Sequence, residues 1–555
     1  MSTNSIVQLL VSQQVAPTPA TLQKSVAFIS QGATTTSQFT ASFLTQLSDL
    51  TPLLKGALSV TTAAWASSIA TITAAAPHGF TIGDTLYITL AGFTPSGYNG
   101  TYLATVTTTT AFTVPIATNP GAMTIAGSYT PEDVAELLAM ATTFFAQGST
   151  QGVYVLELGP GNANDGVASL TTYMTANPNS AYTAGASGYF YAYLVPRTWD
   201  ANTNFLALIA SYESPSAKTY FYVTTTLATY SIYTNLMKCV KSFVESPSLG
   251  VYSANVLTAI TWSSGVVTAT TTSAHGVVAG NWFQISGVTP TAYNGWALAL
   301  PGTTGTTLIY ALASNPGTET VLGSLVPSYY ANAAIPALEF SAASDFWVNA
   351  NRNPSTTNKV TPNRFAFVYG VTPFPVRGMS SLISTLQTNN TNYIGTGAEG
   401  GISGTIIVPG VTEDANDFTY WYSVDWVQLN CDLMISNDVI NGSNNPINPL
   451  YYNQAGIDRE QAVAANVMNS GLTFGMVLGP VVQTQLDGPV LAAAIAAGTY
   501  TGMTVINAVP FLQYSTENPT HYKIGLYQGL SIYYVPARGF ANILVNLTVS
   551  SFVAS

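Results

Sequence analysis

An internal repeat constrains this chain more than any other feature. Residues 72–100 read ITAAAPHGFTIGDTLYITLAGFTPSGYNG, and residues 267–295 read VTATTTSAHGVVAGNWFQISGVTPTAYNG. His78 and Gly79 align with His275 and Gly276, and Gly83 with Gly280. Tyr98, Asn99 and Gly100 align with Tyr293, Asn294 and Gly295. Farther on, Asn119-Pro120-Gly121 aligns with Asn315-Pro316-Gly317, and Gly127-Ser128 with Gly323-Ser324. Any fold must therefore accommodate two copies of one module, at 58–128 and 254–325. Inside each copy, short Thr/Val/Ile runs are cut by HG, YNG and NPG, which predicts an all-β unit. The Asn-Gly pair predicts the positive-φ positions of a tight hairpin turn.

The chain around the modules has a different character. PEDVAELLAMATTFFAQG (131–148) reads as a helix, with Thr130 as N-cap, Glu132 and Asp133 in the first turn, and a stop at Gly148. Strand patterns at 152–159, 189–196 and 218–226 alternate with helical patterns at 165–178 and 202–214. After the second module, 331–350 and 381–389 read as helices and 364–371 as a strand. Strands separated by helices of this length predict a mostly parallel, doubly wound α/β sheet built from 21–57, 129–253 and 326–390. From 391 to 540 the pattern becomes α+β, with helices expected from Asp417 to about Asn437 and over 457–471. Both ends alternate like strands. Val7, Leu9 and Val11 share one face within 1–20, and Ile543, Val545, Leu547 and Val549 share one within 541–555. A terminal strand can complete its own sheet or a neighbour's.

Charge narrows the function classes. Only 7% of residues are charged, against roughly 25% in an average domain, and the net charge is −11. The cations are scattered from Lys24 to Arg538 with no run, which argues against a nucleic-acid partner. No apolar stretch is long enough for membrane insertion, and the opening MSTNSIVQLLVSQQ carries no basic leader. Cys239 and Cys431 lie far apart and make neither a disulfide framework nor a metal site. Weak charge favours close packing of identical subunits.

Candidate chemistry is sparse. His78 and His275 sit at equivalent turns, but Asp84 near the first is matched by Asn281 near the second, which favours a turn role over a shared metal or catalytic one. His521 stands alone, and the α/β core contains no histidine to serve a Ser-His-Asp triad. LGPGNANDG (158–166) matches no phosphate-loop motif and reads as a strand-to-helix turn capped by Asn164 or Asp165. Glu413, Asp414 and Asp417 precede a helix, where capping is favoured over calcium binding. In GIDREQAV (456–463), Asp458 and Gln461 have capping-box spacing, and Arg459 is a candidate for a salt bridge across an interface. YWYSVDW (420–426) reads as core or interface rather than a ligand platform. No catalytic, metal-binding or cofactor-binding residue is assigned.

The layout resembles a contractile-tail sheath protein of a tailed bacteriophage, and more closely the divergent sheath-like branch of some myovirus-type phages. The resemblance is carried by the short N-terminal strand and by TPEDVAELLAMATTFFAQGSTQGVYVLELG (130–159). It continues in YSVDWVQLNCDLMISNDVI (422–440), NQAGIDREQAVAANVMNSGLTFGMV (453–477) and the closing YQGLSIYYVPARGFANILVNLTVSSF (527–552). It covers most of the chain outside the two modules. It implies a central region similar to a subtilisin-type fold without protease activity, and a C-terminal domain facing an inner tube. It also implies terminal arms, here 5–12 and 542–550, that pair with strands of neighbouring subunits. The modules are similar to small β-insertions of phage structural proteins, often placed on the outer surface. The scarcity of charge departs from the charged tube-facing strip expected of the family.

Three functions compete. The first is a non-enzymatic, force-transmitting polymer of the virion, assembled in the host cytoplasm. Its partners would be its own copies in hexameric rings, a tail tube, and baseplate and tail terminator proteins. The second is a virion fibre, decoration protein or adhesin using the repeated modules to hold glycans. The third is a hydrolase, for which the sequence supplies no convincing carboxylate pair.

Overall fold

The computed structural model describes residues 22–541, apart from 149–151, 178–189, 234–236, 245–248, 252–254, 331–338, 377 and 400–401. The arm residues Val7, Leu9, Val11, Ile543, Val545, Leu547 and Val549 lie outside the described residues. The chain divides into two compact units. Of the described residues, the larger takes Lys24–Asn353, Thr361–Trp421 and Arg538–Ala541; the smaller takes Leu22–Gln23, Pro354–Val360 and Tyr422–Ala537.

The larger unit is built on a six-stranded sheet. Its strands are β1 (Val26–Ser30), β2 (Ala41–Leu44), β3 (Val153–Glu157), β4 (Ala192–Leu194), β5 (Tyr220–Thr225) and β6 (Val240–Val244), in the order β6-β5-β4-β1-β3-β2. All neighbours are parallel except β2, which runs antiparallel to β3. Every residue of β1, β5 and β6 is buried, as strands covered on both faces require. Register places Phe28, Leu194, Tyr222 and Lys241 on one face. That face packs on Phe144 of α1 (Glu132–Phe145) and Phe346, which Tyr222 meets at 4.9 Å. On the other face, Phe221 stacks on Tyr193 and meets Phe205 edge-on, each at 5.7 Å. The helices in register with these contacts are α2 (Ala163–Ala176) and α3 (Thr203–Ser211) on the second face, and α4 (Ser341–Ala350), which carries Phe346, on the first.

Two helix starts differ from the sequence reading. Thr130 is not the N-cap of α1; Thr130 and Pro131 still pair with Thr89 and Ile88 in a strand, so the helix begins only at Glu132. In α2 the cap is Asn162, not Asn164 or Asp165. Its Oδ1 accepts from Asn164 N and Asp165 N, and Asp165 reciprocates on Asn162 N at 3.2 Å. The strand expected at 364–371 shrinks to Phe367–Val368, because Phe365 takes a left-handed φ of 60°. Of the helix expected at 331–350, α4 is the described part, and α5 (Ser380–Thr388) follows.

Residues 58–131 form a closed six-stranded barrel. The second module repeats the same cyclic strand order, but Gly295–Leu298 and Thr307–Ala311 form no ladder, and Leu300 N–H donating to Ile309 O at 2.7 Å bridges them. Asp84 is the one Asp, Glu, Lys or Arg between Leu58 and Pro131, and Glu319 the one between Asn255 and Tyr330.

In the smaller unit, the long helix α6 (Phe418–Asn444) contributes its residues from Tyr422 on, and α7 (Gln454–Thr473) packs on a three-stranded sheet. In that sheet Thr504–Ala508 lies between a parallel Val481–Thr484 and an antiparallel Leu530–Tyr533. The cap of α7 is Asn453, which accepts from Gly456 N; Asp458 lies inside the helix and accepts from Gln454 and Gln485. Gln461 is likewise not a capping residue: it is buried and donates to Thr484 O and Ile506 O at 2.7 and 2.8 Å. Arg459 is held within the chain by Asp438, through two bonds of 2.6 Å.

Candidate functional site

A doubly wound sheet offers a ligand its best crevice at the carboxyl ends of the strands, where the order reverses. Here that point lies between β1 and β4, at the segments Gln31–Thr34 and Val195–Trp199. It is filled by the protein's own side chains. Gln31 donates to Asn162 O at 2.8 Å and accepts from Trp199 Nε1 at 2.5 Å. Trp199 is fully buried. At the end of β3, the buried Glu157 accepts from Ser30 Oγ (2.7 Å), Gly32 N (2.7 Å), Thr34 N (3.2 Å), Thr34 Oγ1 (2.7 Å) and Gly159 N (2.8 Å). A carboxylate this fully bonded is a structural fastener, with no lone pair left for a reacting group. Arg197 bonds Glu136 through its backbone N–H at 2.8 Å and Glu339 O through its guanidinium at 2.7 Å. LGPGNANDG here is a turn, with Gly159 at φ 82° and Gly161 at φ 158°.

The module signature is a set of local clasps. His78 Nδ1 accepts from Phe80 N at 3.1 Å, and His275 Nδ1 from Val277 N at 3.0 Å. Burial holds both imidazoles below the usual histidine pKa, against an opposing pull from nearby backbone carbonyls. Gly79 and Gly276 follow at φ 83° and 76°, the left-handed region that favours glycine. Tyr98 and Tyr293 are buried and donate to Gly121 O and Gly317 O, each at 2.8 Å.

The Asn-Gly pairs are not hairpin turns. Asn99 and Asn294 are extended (φ −72° and −83°). Each uses its side-chain amide in place of a strand partner. Asn99 accepts from Phe93 N at 2.9 Å and donates to Phe93 O at 3.3 Å; Asn294 does the same to Val288, at 2.9 and 2.8 Å. Asn99→Ala will therefore lower the stability of the first barrel by about 1–3 kcal/mol, since both Phe93 groups lose their partner. Faster amide exchange at Phe93 and a lower unfolding midpoint are the readouts. Trp65 and Trp262 form a further matched pair, donating to Ile116 O and Leu312 O at 2.7 Å. Their spacing equals that of His78 and His275, which is the signal that would have found them.

The acids before α6 divide. Asp417 caps the helix by accepting from Thr419 N at 2.7 Å. Asp414 accepts from Thr412 Oγ1, Asn416 N, Asn416 Nδ2 and Trp421 Nε1. Glu413 is buried against Ser242, and burial pushes its pKa up to about 8. Among the described residues, no group of three or more His, Cys, Asp or Glu is placed to hold a metal ion. Of the aromatic run, Tyr422 is buried and Trp426 meets Phe474 edge-on at 5.6 Å. His521 Nδ1 lies 2.9 Å from Tyr514 Oη, and both cysteines are free thiols. No helix among the described residues is long and apolar enough to cross a membrane.

No protein-family model and no curated protein matches the chain. Among solved structures it is similar to the sheath tail protein Lin1278 from Listeria innocua, at 9% identity and a TM-score of 0.34, over 82% of this chain and 85% of that one.

Proposed function

We propose that this chain is a structural subunit of a phage contractile-tail sheath and not an enzyme. Copies stack as hexameric rings around a tail tube, held between baseplate and tail terminator proteins, and contract to drive the tube through the host envelope. The central α/β region serves as a subtilisin-like scaffold, and the C-terminal region faces the tube. The segments 5–12 and 542–550 act as strand arms between copies. The protein works in the virion tail and is assembled in the host cytoplasm.

The observation that carries this reading is the order of segments along the sequence, from the strand-like start through 130–159 and 422–477 to the strand-like end. Two features of the structure support it. The ligand crevice of the sheet is plugged from within, as suits a scaffold. The smaller unit exposes large apolar side chains, among them Ile447 (93%), Leu512 (75%) and Ile524 (72%), which contacts between copies would cover.

Electron microscopy of the purified protein tests the reading. Tubes or stacked rings are the expected result, and dispersed particles would sink it. Deleting 541–555 should leave a folded protein, by circular dichroism, that forms no tubes. Normal tubes from the truncated chain would overturn the arm assignment alone.

A further inference from the structure

The second module lacks the strand ladder that closes the first. In the first, Thr105 pairs with Thr113 and Val106 with Phe112, which shuts the barrel. In the second, the strand corresponding to Gly100–Val106 stops at Leu298, and the seam to Thr307–Ala311 is crossed instead by Leu300 N–H, which donates to Ile309 O at 2.7 Å. Beside this seam the second module carries Trp282 and Trp296, at the positions of Tyr87 and Thr101 in the first. These tryptophans face α5 of the body, where Trp282 joins a cluster with Met379, Leu382 and Leu386. Between wall and helix lies a cavity of about 410 Å³, lined in part by Trp282, Trp296, Ala311, Tyr230, Ser381 and Thr385. No lining residue carries a formal charge. Gly378 lies against Trp296: a Cβ there would stand only 3.2 Å from the indole Cδ1.

We propose that this cavity is a binding site for a neutral sugar ring. Its size falls within the range of small-molecule sites, about 300–1,000 Å³. Aromatic faces take the C–H face of a pyranose, and the hydroxyls of Tyr230, Ser381 and Thr385 supply hydrogen-bond partners for its rim. A phosphorylated or carboxylated sugar would bury a charge with no counter-charge. A purely aliphatic ligand would cover the Tyr230 and Ser381 hydroxyls without pairing them, whereas Thr385 already donates to Ser381 O at 2.8 Å and has only its acceptor side to offer. The duplication adds an internal control, because the equivalent wall of the first module carries Tyr87 and Thr101 in place of the tryptophans. The inference does not depend on the sheath reading.

The test is a titration of the full-length protein, followed by tryptophan fluorescence and ligand-observed NMR. The probes are glucose, galactose and N-acetylglucosamine, with glucuronate and hexanol as contrasts. At least one neutral sugar should bind saturably and about tenfold or more tighter than either contrast. Trp296→Ala should weaken it about tenfold. Ala311→Phe, which narrows the hollow and keeps both tryptophans, should do the same, and Thr101→Ala in the first module should change nothing. No saturation by any neutral sugar, equal binding of glucuronate or hexanol, or unchanged affinity in either cavity variant would overturn the proposal.

Discussion

Asp345→Ala will destabilise the α/β body by about 3–5 kcal/mol, the cost of leaving a buried charge without its partner. Asp345 and Lys241 are both fully buried and form a salt bridge. The ammonium group also lies over the rings of Phe418 (5.0 Å) and Tyr222 (5.4 Å). The second carboxylate oxygen accepts from Asn363 Nδ2 at 2.8 Å. Asn363 belongs to a network with Arg352, Asn349 and the Tyr222 hydroxyl. Burial lowers the pKa of Lys241, and the Asp345 charge opposes that shift. Without Asp345 the larger part of the opposition is gone and only the more weakly acting Asp417 charge remains, so folded Lys241 binds its proton less well than unfolded Lys241. The variant should then recover stability as pH rises, since the unfolded chain binds more protons. The double variant Lys241→Met, Asp345→Leu removes both charges and should recover most of the loss. Denaturation midpoints of the three proteins at pH 7 and pH 9 decide the matter. A loss under about 1 kcal/mol for Asp345→Ala would show that water reaches the pair.

What the sequence disclosed depends on how local the governing interactions are. The matched histidines and asparagines of the modules act within a few residues, and the matched tyrosines on a turn of their own module, so their pattern survives duplication and can be read. The run YFYVTT, read as a strand, is fully buried, because a strand covered on both faces has no polar side to show, while the equally buried strand VAFIS is too short a run to stand out. Caps were harder. Asn453 and Asn162 start their helices earlier than Asp458 and Asn164 suggested, and several Asn and Asp residues compete at each start. Only the finished contacts, such as those of Gln461 with Thr484 and Ile506, choose among them. The plug of the crevice was not legible at all. Gln31 and Trp199 are 168 residues apart, and nothing local marks either as the other's partner. The missing ladder of the second barrel follows from a strand shortened to four residues, a change that a turn-based alignment does not register.

The stability of the body will fall between about pH 4.5 and pH 8 because of Glu413. Its side chain is 1% exposed, one oxygen is bonded to Ser242, and Oε2 has no partner among the described residues. Burial raises its pKa to about 8 and the nearby Asp414 adds to the rise, while the Ser242 bonds oppose it. The sign follows from the proton count. Above about pH 4.5 the unfolded chain has released this proton, whereas the folded chain keeps it until about pH 8. The folded state therefore binds more protons across that window, and stability declines as pH rises through it. At about 1.4 kcal/mol per pH unit, the decline reaches on the order of 4 kcal/mol by pH 8. Glu413→Gln mimics the protonated acid and cannot ionise. The variant should match the parent near pH 4.5 and exceed its stability by a growing margin up to pH 8, then run parallel to it. Urea midpoints taken at half-unit intervals across the window give the comparison. Two profiles that stay parallel from pH 4.5 to pH 8 would mean that Glu413 is already ionised in the folded body.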